Sequence, residues 1–188
     1  MPKLTKTTLI NVSTKTGDKG ESGLADGRRV AKQSLVFSAL GDIDETNSWI
    51  GVVIAHMDDR FADQKEILFS IQEDLFYVGA EVAASPTTKL SKKALELIEK
   101  QSNQLQASMA EGWTTKFLMP GGSQLGSYCD MARAVCRRAE RSVAMYSAEG
   151  TVSLLVRQYM NRLSDYLYVL RCFINQELDV KEKQFLKK

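Results

Sequence analysis

The sequence predicts an all-α fold, a bundle of five helices. Three observations predict it. Apolar residues recur about every 3.6 positions through most of residues 42–178. The chain has only three prolines, Pro2, Pro86 and Pro120, and the last two fall where that pattern breaks. Strand signals are few, and the periodic stretches are joined by short connections, as between antiparallel neighbours. A length of 188 residues fits one domain with a sizeable core. Residues 1–188 therefore read as a single unit, with a glycine-rich segment over 1–33 and a helical bundle over 42–178.

The elements follow in order. The stretch "TKTGDKGESG", Thr14 to Gly23, spaces three glycines at every third position among lysines, acids and hydroxyls, with no large apolar residue. Residues 43–57 place Ile43, Ser48, Ile50, Val53, Ile54 and Met57 at helical spacing, with Asp42 or Asp44 as the cap. Residues 64–84 repeat apolar positions at Ile67, Leu68, Ile71, Leu75, Val78, Gly79 and Val82, an amphipathic helix. Pro86 ends it, because it disfavours the helical conformation of Ser85. Ser91 opens a third helix to about Glu111, marked by Leu95, Ile98, Leu105 and Met109. "FLMPGGS", Phe117 to Ser123, is the next break, with Ser123 as N-cap. Residues 124–148 and 152–178 form two further helices, split by Gly150.

Composition excludes several classes. The formal charge is +2 over 48 charged residues, so bulk charge argues against a nucleic-acid partner. No run of about 18 apolar residues exists, so no membrane-spanning helix is expected. Cys129, Cys136 and Cys172 contain no CxxC pair, and Cys129 and Cys136 share one helix face. This is reduced cysteine usage and a cytoplasmic setting. The N-terminus lacks the apolar core of a secretory signal and is arginine-poor for a transit peptide. A single histidine, His56, has no partners at ligand spacing, so a zinc site is not expected.

Four constellations bear on chemistry. "ARAVCRRAER", Ala132 to Arg141, stacks Arg133, Arg137 and Arg141 at four-residue spacing along one helix face, and Glu140 joins them. Arg138 points about 100° away. Such a run fits a solvated face. Four arginines without a lysine, on an otherwise small and apolar helix, also fit a multivalent anion such as a phosphate chain. "RQYMNRLSDYLYVLR", Arg157 to Arg171, aligns Arg157, Asn161, Asp165 and Tyr168 within an apolar helix. Neighbouring helices or a ligand must satisfy that stripe. The glycine-rich stretch is neither GxxxxGK[ST] nor GxGxxG. Its backbone N–H groups, Thr14, Thr16, Ser22, Lys15 and Lys19, with Lys32 further on, suit phosphate. A flexible tail suits the same composition. In the fourth, "FLMPGGS" and the residues before it, Phe117 and Trp113 read by default as packing residues.

Taken together, "TKTGDKGESGLADGRRVAK", "GDIDETNSWIG", "FLMPGGS", "ARAVCRRAER" and "YMNRLSDYLYVLRCF" resemble, in order and spacing, the PduO-type ATP:cob(I)alamin adenosyltransferases. The resemblance spans Thr14 to Phe173. It implies a five-helix bundle assembled as a homotrimer, with ATP and cobalamin bound between subunits and Mg²⁺ as cofactor. It implies transfer of the 5′-deoxyadenosyl group of ATP to cob(I)alamin or corrinoid cobalt, giving adenosylcobalamin and triphosphate. It assigns ATP contacts to Thr14, Lys15, Thr16, Gly17, Ser22, Gly23, Lys32, Arg137, Glu140, Arg141 and Asn161. Asp44 and Arg133 would join neighbouring subunits near the site. Phe117 would crowd the lower face of the corrin and exclude its axial base. A corrinoid reductase and an adenosylcobalamin-dependent enzyme are the implied partners. Two positions depart from the family: Thr46 stands where leucine is usual, and Cys129–Asp130 where "LH" is frequent. The alternative reading is a non-catalytic ATP-binding scaffold or sensor.

Overall fold

The computed structural model describes residues 13, 15–113, 117–148 and 152–185. Two short strands, β1 (Glu21–Gly23) and β2 (Arg29–Ala31), precede five helices: α1 (Leu35–His56), α2 (Ala62–Val82), α3 (Lys92–Ser108), α4 (Gln124–Ser147) and α5 (Leu154–Glu177). One 3-10 turn (Asp59–Phe61) leads into α2. The expected five helices are present. Helix α1 packs on α2 and α4, α4 packs on α5, and α5 packs on α3. The spatial order is therefore α2, α1, α4, α5, α3, with the arginine-bearing α4 at the centre.

The core explains this order. Ala132, Cys136, Ala139 and Val143 are fully buried along α4. Small side chains at this spacing let a central helix approach neighbours on two sides. Leu163, Leu167, Leu170 and Ile174 fill the buried stripe of α5, and Leu68, Leu75 and Val78 that of α2, which packs on α1. Ser91, Ser123 and Ser153 each accept a bond from a first-turn N–H, at 3.2, 2.9 and 3.3 Å. These satisfy donors that the helix cannot. Ser91 and Ser123 cap where the sequence placed them.

Helix α1 differs from expectation. It starts at Leu35 with Ser34 as N-cap, so Asp42 and Asp44 lie inside it rather than at its start. Gly41 is exposed, and the buried Val36, Ala39 and Ile43 keep helical spacing across it. Within α1, Thr46 is fully buried and Ser48 is exposed, the reverse of the expected periodicity. The Thr46 hydroxyl donates to the Asp42 carbonyl at 2.8 Å, so a polar group sits in the core without an unmet bond. The Asp42 carboxylate accepts from Arg138 Nε at 2.9 Å and from Ser142 Oγ at 2.5 Å, joining α1 to α4. Asn47 and Gln72 exchange side-chain-to-carbonyl bonds between α1 and α2 at 3.3 and 3.2 Å.

The N-terminal segment also differs. Residues 21–31 form an antiparallel hairpin, with Ser22 opposite Val30 and Gly23 opposite Arg29. Leu24 is buried in the core, and the Ala25 N–H donates to the Ala83 carbonyl at 2.9 Å, docking the hairpin on the end of α2.

Candidate active site

The glycine-rich stretch is a folded loop from Thr16 onward, not a bare tail. The Gly20 N–H donates to the Gly17 carbonyl at 3.2 Å, and the Lys32 N–H to the Gly20 carbonyl at 2.8 Å. Arg29 Nη2 donates to the carbonyls of Thr16 at 2.7 Å and Glu21 at 3.3 Å. A Cβ placed on Gly17 would lie 2.9 Å from Lys32 Nζ, so glycine is what lets the ammonium sit against this backbone. The loop thus brings Gly17 and Lys32 together. Lys15 and Lys32 are exposed, Ser22 is half-buried, and Gly23 is exposed. Thr14 lies outside the described residues. Arg29, which fastens the loop, was missed in the sequence, where it stood unremarked within the glycine-rich segment.

The arginine stripe lies along α4. Arg137 and Arg141 are exposed and Arg133 is half-buried. Arg141 Nη1 donates to the Arg137 carbonyl at 2.9 Å. The half-buried Glu140 accepts from Asn161 Nδ2 on α5 at 3.0 Å, and Arg162 Nη1 donates to Asn161 Oδ1 at 2.7 Å. These two bonds fix which end of the Asn161 amide faces α4. Arg162 is itself held by Glu99 on α3 at 3.1 Å, so the chain of contacts crosses three helices. Glu140 and Asn161, each assigned separately to ATP by resemblance, are thus bonded to one another within one chain.

Asp44 and Arg133 are not paired within the chain. The carboxylate beside Arg133 is Asp130, at 3.5 Å, and its guanidinium lies 6.0 Å from the Tyr168 ring centroid. Asp44 is exposed at a shallow depression with Asn47, Phe69 and Phe76. Arg138 points away from the stripe, as its position requires, and pairs with Asp42 and Glu45 on α1.

Phe117 corrects the default reading of a packing residue: it is 83% exposed. Its loop is nonetheless tightly held. The Gly121 N–H donates to Asp130 Oδ2 at 2.8 Å, and Ser123 donates through N and Oγ to Asn175 Oδ1 at 2.9 and 2.7 Å. Gly122 has φ +102°, and a Cβ on Gly122 or Gly126 would lie 2.4 Å from an Asn175 atom. Sequence reasoning missed Asp130, Arg171 and Asn175 as loop anchors. The signal was available: Arg171 and Asn175 continue the buried Leu163–Leu167 stripe, where a charged and an amide side chain need partners.

Other reactive groups are quiet. Burial pushes the Cys129 and Cys136 thiols well above the ordinary thiol range, so neither offers a thiolate near neutral pH. Burial also raises the Asp74 carboxyl, opposed by the bond that Tyr159 donates to it at 3.0 Å. Trp113 is half-buried against the core. The exposed His56 directs Nδ1 to the Val52 carbonyl at 2.8 Å and lays its ring 4.6 Å from that of Tyr128. Among the described residues no group of three or more His, Cys, Asp or Glu side chains is placed to hold a metal ion. No helix among them is long and apolar enough to cross a membrane.

Residues 12–174 match the family model described as cobalamin adenosyltransferase. A cobalamin adenosyltransferase of Cupriavidus metallidurans is 38% identical over 168 residues, covering 89% of this chain and 90% of that protein. A corrinoid adenosyltransferase of Bacillus subtilis is 35% identical over 179 residues, covering 94% and 92%. The fold superposes with a TM-score of 0.88 on a variant PduO-type ATP:corrinoid adenosyltransferase from Lactobacillus reuteri, solved in complex with cobalamin and ATP. The two are 26% identical, over 94% of this chain and 100% of that one.

Proposed function

This chain belongs to the cobalamin adenosyltransferase family, and on that premise we propose how its residues divide the work. The reaction transfers the 5′-deoxyadenosyl group of ATP to the cobalt of cob(I)alamin, giving adenosylcobalamin and triphosphate. The family match decides against a non-catalytic ATP-binding scaffold.

The Co(I) electron pair attacks the ribose C5′. A Co–C bond forms, the C5′–O bond breaks, and its electron pair leaves with triphosphate. No proton moves between substrates, so no general base is needed. The work is positioning and charge stabilisation. In our reading Lys32, the N–H groups of the Thr14–Gly17 segment with Lys15, and Ser22 with Gly23 cradle the phosphates. Arg137 and Arg141 meet the charge that grows on the leaving triphosphate. Glu140 and Asn161, already bonded to each other, hold the nucleotide's orientation. Phe117 fills the space below cobalt in place of an axial base. That keeps Co(II) four-coordinate and eases its reduction to Co(I).

The observation that carries this plan is a division of anion-binding groups. The bonds that shape the loop around Gly17 and Lys32 run within residues 16–32, Glu140 of the stripe is bonded to Asn161 on α5, and Arg137 and Arg141 are exposed. Two half-sites on one chain suit a site completed by a second copy, with Asp44 of one subunit meeting Arg133 of the next in a homotrimer. Exposed Phe69, Phe76 and Tyr77 on α2 supply apolar surface for that contact. Mg²⁺ suits this arrangement. It takes one or two carboxylates plus substrate phosphates rather than a protein cage, and Glu140 is the carboxylate that would hold it. When bound, it would neutralise triphosphate charge. The buried free thiols fit a reducing cytoplasm. A corrinoid reductase upstream and an adenosylcobalamin-dependent enzyme downstream are the partners this chemistry calls for.

Subunit complementation tests the plan. Lys32→Ala and Arg137→Ala chains should each be inactive alone. Co-expressed, they should recover about a quarter of wild-type activity, the fraction of sites that draw both intact halves from different copies. No recovery would place both halves on one chain.

A further inference from the structure

Arg171 is 1% exposed and lies between two carboxylates from distant parts of the chain. Its Nε meets Asp130 Oδ2 on α4 at 3.1 Å, and its Nη1 pairs with Glu182 beyond the end of α5. Its Nη2 donates to the carbonyls of Met119 at 2.8 Å and Gly121 at 3.0 Å. Asn175, fully buried one turn on, donates to the Gly121 carbonyl at 3.0 Å and to Glu182 Oε1 at 2.7 Å. One hub therefore grips both the Phe117 loop and the C-terminal segment.

The two segments also pair directly. The Met119 N–H donates to the Lys183 carbonyl at 2.8 Å, and the Phe185 N–H to the Phe117 carbonyl at 2.7 Å, around an antiparallel bridge between Leu118 and Gln184. The backbone of Phe117 is thus held by residues 183–185, and that strand is anchored at its start by Glu182. Asp130, a position where this chain departs from the family pattern, supplies the second carboxylate of the hub.

We propose that Glu182 is a positioning residue for the corrinoid: through Arg171 and Asn175 it latches the C-terminal strand onto residues 117–119 and so fixes the exposed Phe117 ring beneath the substrate. This rests on the adenosyltransferase reading above. The charge count makes the latch separable from the fold. Without Glu182, Arg171 keeps Asp130 and two carbonyls. Without Arg171, Glu182 would lose its ion-pair partner and Asp130 would keep only Arg133, at 3.5 Å.

The test uses the full chain with Glu182→Ala and Glu182→Gln, supplied with cob(II)alamin under limiting reductant, the condition in which Phe117 acts. Amide exchange at Met119 and Phe185 should accelerate in Glu182→Ala, while the cores of α4 and α5 keep their protection. The KM for cobalamin should rise about tenfold, as a misplaced contact group predicts, and the KM for ATP should stay within about twofold. Glu182→Gln keeps an oxygen for Asn175 and loses the ion pair, so it should fall between. An unchanged cobalamin KM in Glu182→Ala would overturn the proposal. So would an equal rise in both KM values, the mark of a general structural defect. An inactive wild-type chain would instead defeat the reaction on which the proposal rests.

Discussion

Asn161 on α5 donates to the Glu140 carboxylate on α4 at 3.0 Å, beside the exposed Arg137 and Arg141. The bond joins two residues that the sequence could place only on separate helices. It also explains how a carboxylate persists within an arginine stripe. Glu140 is oriented by an amide and need not neutralise its neighbours, so the cations stay available to an anion.

Phe117 should matter to turnover and not to folding. At 83% exposure its replacement by alanine removes little buried surface, and stability should change by no more than about 0.5 kcal/mol. Turnover from cob(II)alamin under limiting reductant should fall about tenfold or more, ~1.4 kcal/mol of barrier. Equal rates for wild type and Phe117→Ala would remove the residue from the lower face of the corrin.

Gly126→Ala should destabilise the protein although it lies in a helix. Helix propensity alone would favour alanine by about 1 kcal/mol. The added Cβ would lie 2.4 Å from Asn175 Oδ1, and Asn175 is fully buried and bonded to Ser123, Gly121 and Glu182, so it cannot yield. Overpacking of this kind costs about 1–3 kcal/mol and wins. Gly41→Ala is the control, with open space around its Cβ, and should be neutral or stabilising. Denaturant unfolding reads both, and a stabilised Gly126→Ala would show that the loop anchor is slack.

Alkaline pH should weaken the fold. Burial raises the Cys129 and Cys136 thiols above their ordinary 9.0 and the Tyr159 and Tyr166 hydroxyls above their ordinary 10.0. The folded state holds these protons more tightly than the unfolded state. The contribution is therefore complete below 9.0 for the thiols and below 10.0 for the hydroxyls, and is lost as pH rises beyond those values, by up to about 1.4 kcal/mol per pH unit for each group. Unfolding free energy that stays flat above pH 9.0 would contradict the burial of these groups.

Much of this was legible in the sequence, and the gaps have physical causes. Five helices, the caps at Ser91 and Ser123, and the direction of Arg138 follow from periodicity and local chemistry. The start of α1 was missed because Asp42 and Asp44 have the chemistry of a cap, although Val36, Ala39 and Ile43 continue the helical spacing upstream of them. The hairpin was missed because three-residue strands carry almost no periodic signal. Phe117 was assigned its role through resemblance alone, while its exposure depends on loop geometry. Its anchors Asp130, Arg171 and Asn175 come from two helices and meet only in three dimensions.

The central claim is ATP-dependent adenosylation of cobalt. Anaerobic incubation of the protein with ATP and reduced cobalamin, followed by absorbance, tests it most directly. The account predicts conversion to the adenosylcobalamin spectrum with wild type, none without ATP, and a rate lower by about 10²-fold or more in Arg137→Ala with the fold intact. A spectrum that ATP leaves unchanged in the presence of folded wild-type protein would contradict it.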